Sequence, residues 1–241
     1  MTPAPEHGED TAPAGRRARR FLRHNSLGLF FLTSFLLALA GQAVAGRAEF
    51  NNQLVSDGMA PLGFGAYLTS SDFAVDVTEN WQSEYLQFFL YIFATVWLLQ
   101  RGSPESKELD KAGTESDRDQ MVGPYAKGDS PRWAAATDWR GFVYSRSLGL
   151  VMGAVFLLSW LTQSVTGVAA YNEEQLRRLQ APISWTEYLS AADFWSRTLQ
   201  NWQSELLAVA SMAVLAIYLR QRGSPESKPV GASDSATGVE G

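Results

Sequence analysis

Two uncharged stretches of equal length decide the fold of this chain. The first is LGLFFLTSFLLALAGQAVAG at residues 27–46, and the second is LGLVMGAVFLLSWLTQSVTG at residues 148–167. A helix of twenty residues, at 1.5 Å per residue, matches the hydrocarbon core of a bilayer, which is about 30 Å thick. We therefore predict that both stretches are transmembrane helices.

Two shorter apolar runs follow, at residues 85–99 and 206–219. Their length alone suits a buried or re-entrant helix better than a span. Each run is framed by aromatic residues sixteen positions apart, about 24 Å along a helix, as expected of side chains that mark the two membrane interfaces. These predicted interface aromatics are Trp81, Trp97, Trp202 and Tyr218. We predict an all-α membrane protein with four transmembrane helices.

The composition excludes several classes of function. The 241 residues include no cysteine and only two histidines, and the formal net charge is -5. Without cysteine the chain has no disulfide framework, thiolate metal site or cysteine nucleophile. His7 and His24 lie in a polar N-terminal segment, which argues against a histidine-based triad or a histidine-ligated haem. We expect no cofactor and no metal.

The distribution of basic residues predicts the orientation in the membrane. Of the 20 lysines and arginines, 16 lie in residues 1–26, 100–147 and 220–241. Basic residues are retained on the cytoplasmic side, so we expect both termini and the central linker to be cytoplasmic. The arginine cluster between Arg16 and Arg23 is expected to bind anionic lipids rather than nucleic acid. Ala43-Val44-Ala45 is similar to a signal-peptidase site, but the apolar run is long for a signal peptide.

The chain also matches itself at an offset of 121 residues. Residues 26–107 and 147–228 share 33 identities over 82 positions without a gap. Asn-Trp-Gln-Ser-Glu occurs at 80–84 and 201–205, and Gln-Arg-Gly-Ser-Pro-Glu-Ser-Lys at 100–107 and 221–228. We interpret this as an internal duplication. Because each copy holds two crossings, the copies form two parallel-repeat helical hairpins with pseudo-twofold symmetry.

The duplication divides the chain into five predicted segments. Residues 1–25 are a disordered basic cytoplasmic tail, and residues 26–107 form the first two-helix membrane repeat. Residues 108–140, rich in glycine, serine and mixed charge, are a flexible cytoplasmic linker. Residues 141–228 form the second repeat, and residues 229–241 are a disordered tail.

A polar cluster is predicted near the outer end of each repeat. Asn80 and Glu84 are four residues apart and share one helix face, while Gln42 lies at a similar depth. The equivalent residues of the second copy are Gln163, Asn201 and Glu205. Such side chains either form a polar cavity open to the outside or bond to one another and tie each hairpin together.

The repeated segments also contain predicted helix ends. Asp72 and Asp193 are interpreted as N-caps, and Gly102 and Gly223 as C-caps. Ser184 to Glu187 fits a capping box.

These motifs resemble a known family. RFLR before the first span, GQ-x-V-x-G at its end, YL-x-x-x-DF, NWQSE and QRGSPESK are similar to a bacterial family of integral membrane proteins described only as a domain of unknown function. The resemblance covers residues 21–107 and again 147–228, and implies a bacterial inner-membrane protein without an assigned activity. The second copy departs from the first in Trp195 for Ala74 and in Arg197 for Asp76.

The predicted membrane helices and polar cluster are compatible with three functions. The first is a non-enzymatic structural or envelope-associated bundle in the lipid bilayer, and the alternative is a small transporter or channel that uses the polar cluster. Four helices enclose a narrow lumen, so a channel would require a homo-oligomer. The third is an intramembrane enzyme with Glu84 or Glu205 as general base or metal ligand. Such a carboxylate needs a nucleophile, a second acid or a metal, and the repeats offer only Ser83, Ser204, Asp72 and Asp193 as partners. We expect no enzymatic activity.

Overall fold

The protein is described by a computed structural model over residues 14–239, and within this range it is helical without a strand. His7 and the rest of residues 1–13 lie outside the described residues, as do residues 240 and 241. A short 3-10 turn spans Gly123–Tyr125. The α-helices are α1 (Ala14–His24), α2 (Ser26–Ser56), α3 (Phe64–Leu68), α4 (Ser71–Trp97), α5 (Trp139–Tyr144), α6 (Ser147–Arg177), α7 (Trp185–Tyr188) and α8 (Ala192–Tyr218).

The helices divide into two compact units, with the boundary between Thr69 and Ser70. This boundary lies inside the segment predicted as the first repeat. The first unit contains α1, α2 and α3, and the second contains α4 to α8. Part of the predicted N-terminal tail is helical, because its residues 14–24 form α1.

In the first unit, α2 extends ten residues beyond the uncharged run, and an asparagine anchors the chain that follows it. The side chain of Asn51 accepts a hydrogen bond from Leu62 N at 2.8 Å and donates to Leu62 O at 3.1 Å. Tyr67 of α3 packs against Phe50, with ring centroids 5.7 Å apart. These contacts fold the segment after α2 back onto the helix.

The second unit repeats this arrangement after α6. Asn172 accepts from Ile183 N and donates to Ile183 O, both at 2.8 Å. Tyr188 is buried beside Gly167, where a Cβ atom would lie only 2.7 Å from the tyrosine hydroxyl. A glycine is therefore required at this point of α6 for the tyrosine to approach the helix.

Helix α4 is the centre of the second unit, because it packs against both α6 and α8. Glycines on α6 admit aromatic rings from α4: a Cβ at Gly149 would lie 2.9 Å from the Phe93 ring, and one at Gly153 would lie 2.8 Å from the Phe89 ring. From Gly149 to Gly153 the residue number increases along α6, whereas the contacted residue of α4 changes from Phe93 to Phe89. The two helices are therefore antiparallel. Small residues at a helix interface permit such close approach.

Two of the described helices, not four, are long and apolar enough to cross a membrane. These are α2 and α6, which contain the two uncharged stretches. Helices α4 and α8 have 27 residues each, but the N-terminal half of α4 carries Asp72, Asp76, Glu79 and Glu84, which lower its hydropathy. The prediction of four spans is thus supported for two helices by length and composition.

The predicted helix caps need correction. The N-cap of α4 is Ser70, whose hydroxyl accepts from Phe73 N at 3.3 Å, and Asp72 lies two residues further on. The N-cap of α8 is Ala191, which has no capping side chain, so Asp193 is not a cap either. Helices α4 and α8 end at Trp97 and Tyr218, five residues before the glycines that were predicted to be their C-caps. The capping box of Ser184 and Glu187 is confirmed.

The segments predicted to be disordered contain turns and local hydrogen bonds. Lys107 Nζ, at the end of the first repeat, donates to Gly113 O of the linker at 2.7 Å. Near the C-terminus, Thr237 Oγ1 accepts from Gly102 N at 2.9 Å, and Gly238 N donates to Ser103 O at 3.1 Å. Residues 229–239 therefore contact the first QRGSPESK copy, and their disorder in solution stays a prediction.

We predict that Gly153→Leu weakens the α4–α6 interface. The new side chain would overlap the Phe89 ring, and overpacking a filled interface costs about 1–3 kcal/mol. The melting temperature of the purified protein, followed by tryptophan fluorescence, should fall by several degrees.

Gly41→Leu is the matched control, since Gly41 lies in the interior of α2 with no atom within 4 Å of the added Cβ. It should leave the melting temperature nearly unchanged. Equal effects of the two substitutions would contradict the importance of the Gly153 contact.

Candidate functional site

The α4–α8 interface brings together residues that are 121 positions apart. The guanidinium of Arg197 in α8 lies 3.7 Å from Asp76 Oδ1 in α4. Further along, Trp202 Nε1 in α8 donates a hydrogen bond to Gln82 Oε1 in α4. Because both contacts advance together along the two sequences, α4 and α8 run parallel.

Arg197 is the centre of an ionic network at the N-terminal end of this interface. It lies 3.1 Å from Glu79 Oε2 and 3.5 Å from Asp193 Oδ2. The hydroxyl of the buried Tyr188 donates to the same Asp193 oxygen at 2.9 Å. The Arg197 cation therefore joins α8 to α4 through two carboxylates, Asp76 and Glu79. The third carboxylate, Asp193, belongs to α8 itself and contacts Tyr188 of α7.

Burial dominates the protonation behaviour of this network. It raises the pKa of Glu79, whose side chain is only 17% exposed, and the Arg197 guanidinium partly opposes the shift. The pKa of Asp76 is raised for the same reason, again with Arg197 acting in the opposite direction. The guanidinium thus opposes the rise in the pKa of both carboxyls.

A buried polar layer lies next to the ionic network. Gln82 of α4, Gln163 of α6 and Thr198 of α8 are all fully buried. Trp202 Nε1 donates to Gln82 Oε1 at 2.7 Å, and Gln163 Nε2 donates to Thr198 Oγ1 at 3.5 Å. The other amide atoms, Gln82 Nε2 and Gln163 Oε1, have no hydrogen-bond partner among the described residues.

Aromatic rings close the space around this layer. The centroid of Trp160 in α6 lies 5.8 Å from that of Trp202, and the centroid of Phe156 lies 6.4 Å from it. Trp202, predicted as an interface aromatic, is therefore packed between helices. Trp81, Trp97 and Tyr218 are exposed, the last two by more than 60%.

The predicted polar cluster is only partly assembled. Asn80 and Asn201 donate to carbonyls of their own helices, at Asp76 O and Arg197 O. Glu84 is exposed and Glu205 half-buried, while Gln163 is in the buried layer. Gln42 is half-buried in the first unit.

Sequence reasoning missed Gln82, Thr198 and Arg197 as functional candidates. Gln82 stands inside the repeated NWQSE motif, so the repetition itself was the available signal. Arg197 was noted as a departure between the copies, but its charge is opposite to that of Asp76 at the equivalent position, and this complementarity indicates a contact.

The second motif, QRGSPESK, forms a turn with the same bonds in each copy. Ser106 Oγ accepts from Gln100 N, and Ser227 Oγ accepts from Gln221 N, both at 2.9 Å. Gly102 and Gly223 have φ values of 86° and 80°, which favour glycine. These bonds explain the conserved spacing of glycine and serine between the copies.

The lysine that ends the motif binds backbone carbonyls. Lys228 is 1% exposed, and its Nζ donates to Gly102 O at 2.7 Å, to Asp234 O at 3.0 Å and to Ser233 O at 3.2 Å. Lys228 therefore connects the second turn to the first turn and to the tail.

A cavity of about 220 Å³ lies between α4 and α8 beside the two turns. Phe88 and Tyr91 line it from α4, Val209 and Met212 line it from α8, and Glu105 and Glu226 line it from the turns. Tyr91 Oη donates to Glu105 Oε2 at 2.6 Å. Within residues 14–239 no three His, Cys, Asp or Glu side chains are grouped to hold a metal ion.

Residues 18–239 match the model of DUF6766, a domain of unknown function. The chain belongs to the DUF6766 family. The match covers both units and both copies of the repeated motifs. No curated protein and no solved structure matches the chain. Membership of DUF6766 therefore agrees with the resemblance found in the motifs and adds no activity to it.

We predict that Arg197→Gln destabilises the protein by about 1–2 kcal/mol, because it leaves three carboxylates without their shared cation. The loss is smaller than for a fully buried ion pair, because the Arg197 side chain is 39% exposed and solvent screens its charge. Thermal unfolding measures the loss. Arg178→Gln is the matched control, because Arg178 pairs with Glu174 but is 66% exposed.

The deficit of Arg197→Gln should depend on pH. Without the guanidinium the pKa values of Asp76 and Glu79 rise further. A carboxyl whose pKa is raised on folding stabilises the protein below its unfolded pKa and loses this effect as pH rises through the folded pKa. The difference from wild type should therefore be smallest near about pH 4 and largest at neutral pH. A difference independent of pH would contradict the network.

Proposed function

We propose that the chain is a bacterial inner-membrane protein with four transmembrane helices, arranged as two parallel repeats, and that it acts as a non-enzymatic structural bundle. Burial supports a membrane location: only 28% of the apolar window of α6 is buried. A core helix of a soluble protein would be mostly buried. Exposed apolar residues along such a helix are compatible with contact to lipid.

The buried polar layer is the observation that carries the proposal of four crossings. Helices of 27 residues are about 40 Å long, which is enough to cross a bilayer. A polar side chain within a membrane is tolerated when it faces another helix and is bonded there. Gln82 Oε1 and Trp202 Nε1 satisfy this condition across the α4–α8 pair. Asp76 and Glu79 precede Trp81, so they lie outside the proposed crossing.

A structural role follows from the nature of the bonds. The buried glutamines contact a tryptophan and a threonine of neighbouring helices, and the ionic network joins the same helices. These interactions stabilise the packing of the unit. The equal lengths of α2 and α6, and of α4 and α8, together with their matching contacts, support the two repeats.

The topology can be tested by cysteine labelling, because the chain has no native cysteine. Asp57→Cys, Asp129→Cys and Gln180→Cys place single thiols at exposed positions outside the proposed crossings. With four crossings, a membrane-impermeant maleimide added to intact cells should label positions 57 and 180. Position 129 should react only after permeabilisation.

A protein with two crossings, α2 and α6, would give a different pattern. The linker would then lie outside, so position 129 would be labelled in intact cells and position 180 would be protected. That pattern would overturn the four-crossing topology. Labelling after permeabilisation, at all three positions, controls for thiol reactivity.

A transporter or channel is the second candidate, favoured by the equivalent carboxyls Glu84 and Glu205 on the packed helices α4 and α8. The double variant Glu84→Gln, Glu205→Gln separates the two functions. For a structural bundle we expect an unchanged melting temperature and full complementation of a deletion strain under envelope stress. Loss of complementation by stably inserted variant protein, with ion or solute flux in liposomes that depends on both glutamates, would favour the transporter.

A further inference from the structure

We propose that the cavity between α4 and α8 binds a small amphipathic monocation, a primary ammonium with a short apolar chain. The ammonium lies between Glu105 and Glu226, and the chain lies against Phe88 and Val209. This binding site goes beyond the proposed structural role and does not depend on it.

The lining of the cavity includes two carboxylates. Glu105 and Glu226 face the same space, and in the described part of the chain neither forms an ion pair with a lysine or arginine. Two carboxylates that share a cavity repel each other, and a cation between them relieves the repulsion. The parallel helices α4 and α8 also end at this side, where their last carbonyls carry partial negative charge.

The walls of the cavity next to these carboxylates are apolar. Phe88, Val209 and Met212 present apolar surface, and the Phe88 side chain is 48% exposed. Burial of apolar ligand atoms on such surface is favourable, by about 25 cal/mol per Å². A strongly hydrated metal ion would leave these walls without a partner. An organic cation matches both the charged and the apolar side.

The size of the cavity limits the ligand. At about 220 Å³ it is smaller than the roughly 300–1,000 Å³ of sites for drug-sized molecules. A single ammonium with a chain of a few carbons fits this limit. A diamine would place its second charge against Phe88 and Val209, so a monoamine is preferred.

Tyr91 sets the position of one carboxylate. Its hydroxyl donates to Glu105 Oε2 at 2.6 Å, which leaves the other carboxylate oxygen, Oε1, able to accept from the ligand. Glu226 is exposed and lines the same cavity as Glu105 and Tyr91, so both carboxylates face the same space. The tyrosine thus orients a binding group without neutralising it.

The test is isothermal titration calorimetry of the full chain in phosphatidylcholine nanodiscs with hexylammonium chloride. We expect saturable binding to the wild-type protein. Glu105→Gln with Glu226→Gln should weaken binding at least tenfold, because glutamine keeps an acceptor for Tyr91 but removes the charge. Glu108→Gln with Asp110→Asn is the matched control, since both residues are exposed, lie in the same segment and do not line the cavity.

Further ligands and a second variant keep the test decisive. Val209→Trp should fill the cavity and abolish binding while the melting temperature is retained. Hexanol should not bind saturably, and 1,6-diaminohexane should bind more weakly than hexylammonium. Unchanged binding in the double glutamine variant, or equal binding of hexanol, would overturn the site.

The ammonium could come from a free amine or from the headgroup of phosphatidylethanolamine. Nanodiscs that contain phosphatidylethanolamine distinguish these sources. Competition by the lipid, lost in the double glutamine variant, would identify the headgroup. Unchanged hexylammonium affinity would identify a free amine as the ligand.

Discussion

The hydrogen bond from Trp202 Nε1 to Gln82 Oε1 fixes the arrangement of the second unit. Gln82 is fully buried, and a buried amide oxygen without a donor costs about 1–3 kcal/mol. Helix α8 must therefore lie where its tryptophan reaches α4. Because both helices are rigid, this one contact also determines which residues of α4 and α8 lie opposite each other along the rest of the pair. The ionic network around Arg197 and the cavity beside Val209 are consequences of that register.

The position of α6 depends on a different property, the absence of side chains at Gly149 and Gly153. The rings of Phe93 and Phe89 occupy the space that side chains would fill. Close approach of α6 then brings Gln163 to Thr198 and Trp160 to Trp202. Steric fit on one side of α4 and polar pairing on the other together hold it between its neighbours.

The sequence predicted the long helices well and the polar contacts poorly, for physical reasons. An uncharged run and an exact offset between copies are properties of one chain segment, so α2 and α6 could be located from them. The spacing of Asn80 and Glu84 could not show which partner Asn80 would choose. Its amide donates to the carbonyl of Asp76, one turn earlier in the same helix, instead of to a side chain. Gln82 and Gln163 were equally polar in the sequence, and only the opposing helix decided that they are buried.

The opposite charges of Asp76 and Arg197 also determine which helices can associate. Two α4 helices in the same register would bring Asp76 against Asp76, and two α8 helices would bring arginine against arginine. Only the mixed pair is attractive, and Glu79 of α4 adds to that attraction. The ionic network therefore favours the pairing of α4 with α8 over the pairing of either helix with a copy of itself. Opposite charges at equivalent positions of the two copies thus make their association specific.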